Sequence, residues 1–124
     1  MTRRFGRPPV EGITALGIKL EKFDDPGDAG AIPVNRSGYC HFTTAAAETR
    51  TIGLPAWAGQ LIMLVSKSIA AGNCVITASA AINVTGNTTI TLNTTNDTVL
   101  LMGMEVAAGT LAWRVIVNDG ATLG

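Results

Sequence analysis

The chain has 124 residues, of which 47% are hydrophobic and only 15% are charged, and its formal net charge at pH 7 is zero. This length fits one domain and excludes a large multidomain machine, and the balanced charge excludes the broad basic surface of a typical nucleic-acid-binding protein. Charged residues make up about a quarter of an average soluble protein, so the low value here predicts a surface that is largely interface.

The first segment, residues 1–11, has neither a helical nor a strand period. It is basic with no apolar run behind it, so we expect no secretion signal, and its paired prolines favour extended backbone. We therefore predict an extended N-terminal arm at 1–11 and a single β domain at 12–124. The arm residues expected to contact a partner are Arg3, Arg4, Phe5, Arg7, Pro8 and Pro9. The alternatives are a free, soluble terminus and a weak contact of the arginines with nucleic acid.

Strand-like segments separated by turns follow along the rest of the chain. The predicted strands are 12–22, 38–44, 49–54, 61–66, 74–79, 81–85, 88–92, 98–106 and 111–117. Gly103, in the interior of its strand, predicts a bulge or a close contact. The turn signals recur roughly every 8 to 15 residues, which is typical of antiparallel sandwiches and barrels.

These strands predict the fold class. Abundant β-branched residues and the lack of long helical periods indicate an all-β protein, and we expect an antiparallel β-sandwich or a small barrel with jelly-roll or Greek-key connections. Segment 61–66 is apolar throughout, as expected of a strand buried on both faces. For segment 43–48 there are two alternatives, an irregular break between strands or one helical turn. No run of about 20 apolar residues occurs, so no membrane span is expected.

The reactive side chains do not assemble a catalytic motif, so we predict no enzyme. His41 is the only histidine, and its neighbour Cys40 would lie on the opposite face of a strand, where the two cannot act as a nucleophile and its base. Cys40 and Cys74 are expected to be buried, reduced thiols. A disulfide between neighbouring strands is the alternative.

An acidic run offers the only hint of a metal. Asp24, Asp25 and Asp28 carry carboxylates, which calcium prefers. Their spacing lacks the alternating ligands of a calcium-binding loop, and Pro26 and Gly27 explain the segment as a turn. We therefore predict neither a metal nor a cofactor.

The two tryptophans have different expected roles. Trp113 lies on the apolar face of an alternating strand and is predicted to be core. Trp57 lies in a turn, where a partly exposed indole is typical of an interface hot spot. The predicted oligomer or partner contact is Leu54, Pro55, Ala56 and Trp57.

Residues from about 49 to 120 resemble structural proteins of tailed bacteriophages. The resemblance rests on a turn "LP…AGQ" that leads into an apolar strand, on the strands "GNTTITL" and "DTVLLMG", and on a closing "W-R-V…NDG". Similar segments occur in capsid decoration (cement) proteins and in domains associated with virion fibres or spikes.

The resemblance implies a β-rich virion protein, made in the host cytoplasm and placed on the outer capsid surface. It implies a homotrimer whose partner is the major capsid protein, which the arm would reach. The balanced charge and the lack of a long apolar run predict no contact with nucleic acid or membrane. The alternative is a carbohydrate- or receptor-binding module of a virion fibre or spike. Such a module needs exposed aromatic rings beside polar groups, for which Trp57 and Tyr39 are the candidates.

Overall fold

The computed structural model describes residues 13–14, 17–70 and 72–124, and side chains within 19–70 and 72–124. No helix long and apolar enough to cross a membrane occurs among these residues. Their strands, in chain order, are β1 (Ile13–Thr14), β2 (Gly17–Ile18), β3 (Glu21–Phe23), β4 (Gly30–Ile32), β5 (Gly38–Thr44), β6 (Glu48–Ile52), β7 (Leu61–Ile69), β8 (Cys74–Ala78), β9 (Thr89–Leu92), β10 (Thr98–Ala107), β11 (Thr110–Asp119) and β12 (Thr122–Leu123).

Ten of these strands form two five-stranded sheets. Sheet I has the order β11-β10-β7-β5-β3, and sheet II has the order β12-β9-β8-β6-β4. From β3 to β8 the chain alternates between the sheets, so neighbours within a sheet run parallel. The remaining pairs in both sheets are antiparallel, among them the consecutive strands β8–β9 and β10–β11. Strands β1 and β2 pair only with each other among the described residues.

The predicted all-β class is confirmed, but the expectation of antiparallel sheets is wrong in part, because four of the eight strand pairs in the two sheets are parallel. Both sheets are mixed, and neither closes into a barrel. Alternation of apolar and polar residues indicates that a segment is a strand, but it does not indicate the direction of the neighbouring strand. Here each parallel pair is joined through a strand of the other sheet, which supplies the long crossover that parallel pairing needs. The jelly-roll or Greek-key connections are not confirmed.

One hydrophobic core joins the two sheets in a sandwich-like arrangement. Alternate residues of the longer strands in the two sheets point inward, as the period of two requires. The buried cluster is Phe23, Ile32, Cys40, Phe42, Ile52, Ile62, Leu64, Cys74, Ile76, Ala78, Ile82, Ile90, Leu92, Val99, Leu101 and Trp113. Because both sheets contribute to this cluster, their inner faces pack against each other.

Several predicted strands coincide with observed ones, and two do not. Strand β5 matches the prediction for 38–44, whereas 12–22 is divided into the short strands β1, β2 and β3. Segment 81–85 is a loop, because the Asn83 Oδ1 accepts hydrogen bonds from the backbone N–H groups of Gly86 and Asn87. These bonds favour a turn over a strand.

The predicted arm, residues 1–11, lies outside the described residues. Segment 43–48, predicted to be either a break or one helical turn, is not helical. Residues 43–44 are the end of β5, residues 45–47 form a bend, and β6 begins at Glu48.

Candidate interaction surface

The turn that holds Leu54, Pro55, Ala56 and Trp57 is firmly tied to sheet I. Gly59 N–H donates to the Gly103 carbonyl at 2.7 Å, and Gly103 N–H donates to the Gln60 carbonyl at 2.8 Å. A Cβ at Gly103 would lie 2.6 Å from the Trp57 carbonyl oxygen and 2.8 Å from the Cβ of Pro55. The close contact predicted at Gly103 is therefore confirmed, and only glycine allows the turn to lie this near β10.

The Gln60 side chain holds the same turn from inside. It is fully buried, its Nε2 donates to the carbonyls of Val34 and Arg36 at 3.0 Å each, and its Oε1 accepts from Ala56 N–H at 2.6 Å. A buried amide whose N–H donors and carbonyl oxygen all have partners specifies one conformation of the backbone around it. The sequence analysis did not single out Gln60.

The predicted contact residues of this turn divide between surface and interior. Leu54 is 48% exposed and Trp57 is 45% exposed, whereas Pro55 is buried. Trp113, predicted to be core, is buried, and its Nε1 donates to the Gly53 carbonyl at 2.7 Å. The turn thus presents Leu54, Ala56 and Trp57 outward on a rigid base, and their role in an interface stays a prediction.

The outer face of sheet II is polar. Its outward residues form two rows across the strands, in which six of the eight residues are threonine. The rows are Ala31, Thr51, Thr77 and Thr89, and Thr49, Val75, Thr91 and Thr122. Threonine combines high strand propensity with a hydroxyl that water can solvate, so this face is typical of a sheet open to solvent.

The outer face of sheet I is mostly apolar along β7 and β10 and more polar toward its edges. Its central row is Lys22, Tyr39, Met63, Leu100 and Val117; the flanking rows are Leu61, Met102 and Arg114, and His41, Val65, Thr98 and Asp119. In the part of the chain that the structure describes, no strand packs extensively across this face. The apolar run that predicted burial on both faces of β7 therefore has one face in the core, whereas Leu61, Met63 and Val65 on the other face are partly exposed.

Arg50 is a buried cation that the sequence analysis missed. It lies on β6 at a position that points inward, its guanidinium lies 5.7 Å from the ring centroid of Phe42, and Asp25 and Glu48 are its ionic partners. Hydrogen bonds to these carboxylates raise its pKa even though burial opposes its charge. The available signal was an arginine at an inward position of an alternating strand with an acidic run nearby.

Two residues of the acidic run, Asp25 and Asp28, accept hydrogen bonds from Arg50 and from the backbone. Asp28 Oδ1 accepts from the backbone N–H of Thr49 at 2.9 Å, and Asp25 accepts from Arg50. Within 19–70 and 72–124, no three His, Cys, Asp or Glu side chains cluster as a metal site would require.

The two thiols face the core, whereas the histidine faces outward. Cys40 and Cys74 are free and fully buried, on β5 of sheet I and β8 of sheet II, as predicted for reduced core thiols. Burial raises the pKa of Cys40 to about 12 and that of Cys74 to about 11, so neither is a thiolate nucleophile at neutral pH. His41 points to the outer face, opposite Cys40 as predicted. Partial burial and the charges of Lys22 and Lys67 lower its pKa.

A scan against protein-family models finds no matching family, and a search of curated proteins finds no similar sequence.

Proposed function

We propose that this chain is a structural protein of a tailed-bacteriophage virion. It is a capsid decoration protein that binds the outer capsid surface as a homotrimer and strengthens contacts between major capsid subunits. The observation that carries the proposal is the contrast between the outer faces of the two sheets. One face is hydroxylated and suited to water, while the other carries partly exposed Leu, Met and Val side chains on β7 and β10, with Val117 half exposed on β11. Such an apolar face favours a protein that works as part of an assembly.

The proposed contacts with the capsid divide into an arm and a rigid turn. The arm anchors through Arg3, Arg4, Phe5, Arg7, Pro8 and Pro9, because a proline-rich segment loses little conformational entropy when it docks along a partner. The exposed Leu54 and Trp57 supply an apolar contact that is already ordered before binding. A protein held in this way spans neighbouring capsid subunits and opposes their separation.

A carbohydrate- or receptor-binding module is the second candidate, and the half-exposed Trp57 is the observation that favours it. Sugar recognition also needs polar groups beside the ring. The nearest amide in sequence, Gln60, is buried and occupied by three backbone partners. The decoration role is therefore the better supported of the two.

The test is co-sedimentation of the purified protein with capsids assembled from the major capsid protein of the same phage. We expect saturable binding by the full chain, together with a higher temperature of capsid disruption. Deletion of residues 1–10 should abolish binding while leaving the urea unfolding midpoint unchanged. Absence of binding by the full chain contradicts the function, and undiminished binding by the truncated chain contradicts the role of the arm.

A further inference from the structure

We draw no further inference here: the strongest candidate, the partly exposed apolar outer face of β7 and β10 in sheet I, carries none, because nothing in the structure shows what covers it.

Discussion

Arg50 donates hydrogen bonds from Nε and Nη2 to the two carboxylate oxygens of Asp25, at 2.8 Å and 3.1 Å, across 25 residues of sequence. Glu48 accepts a further contact from Nη2 at 3.0 Å. The guanidinium is fully buried, whereas the Asp25 side chain remains 20% exposed. This ion pair joins the loop before β4 to the inner face of β6, and a buried charge with such partners is costly to leave unpaired.

Asp25→Asn should therefore destabilise the fold. The amide keeps the shape of the carboxylate but removes its charge, so Arg50 would retain only Glu48 as an ionic partner. We expect a loss of about 3 kcal/mol in the free energy of unfolding. This is the lower end of the range for breaking a buried ion pair, because Asp25 is partly solvated. Urea denaturation measures this loss, with Asp24→Asn on the exposed neighbour as the control. Equal midpoints for the two variants would contradict the structural role of the pair.

Acid should destabilise the protein through Asp25 and Asp97. Burial acts to raise the pKa of each carboxyl, but hydrogen bonds outweigh it and hold each pKa below the ordinary 3.8. The donors to Asp25 include Arg50, Thr43 and Gly27. The unfolded chain takes up these protons at higher pH than the folded one. The stabilisation is therefore complete above the ordinary carboxyl pKa and is lost as the pH falls through the folded pKa.

Thermal unfolding followed from about pH 6 to about pH 2 tests this dependence. We expect the midpoint to fall below about pH 4. The Asp25→Asn variant, which lacks one of the responsible groups, should lose less stability over the same range. A wild-type midpoint that stays constant to pH 2 would show that these carboxylates have no linkage to folding.

Gly103→Ala tests the close contact between β10 and the turn that carries Trp57. The new Cβ would lie 2.6 Å from a backbone carbonyl oxygen, so the turn or the strand must shift. We expect a loss of roughly 1–3 kcal/mol, which is typical of overpacking. Gly53→Ala is the matched control, because its Cβ would meet only Val34, at 3.9 Å. Similar unfolding midpoints for the two variants, by urea denaturation, would contradict the contact.

The two thiols should be unreactive until the protein unfolds. Cys40 and Cys74 are fully buried, and burial raises the pKa of each to about 12 and about 11. We expect a colorimetric disulfide reagent to modify neither thiol in the native protein at neutral pH, and both in denaturant. Rapid modification of the native protein would argue against this burial, and no reaction in denaturant would indicate a disulfide instead.

Local sequence patterns were sufficient to predict properties that depend on a single strand. The alternation in 38–44 located β5 to the residue, and the apolar face of β11 identified Trp113 as core. The same reasoning failed at 81–85, where a β-rich composition is overruled by the side-chain bonds of Asn83. At the end of β11 the skipped Ile116 breaks the alternation of the strand and leaves Val117 half exposed, which no local pattern indicates.

By itself the sequence determined that the protein is all-β, where most of its strands lie, and that its cysteines and Trp113 are buried. Each of these follows from periodicity and turn chemistry within a few neighbouring residues. Only the tertiary structure decided that β5 and β7 run parallel, that Arg50 meets Asp25, and that one outer face is mostly apolar. These features depend on which distant strands become neighbours and on the register of each pair. Every strand offers the same backbone hydrogen bonds to any partner, so long-range packing decides the neighbours and the register.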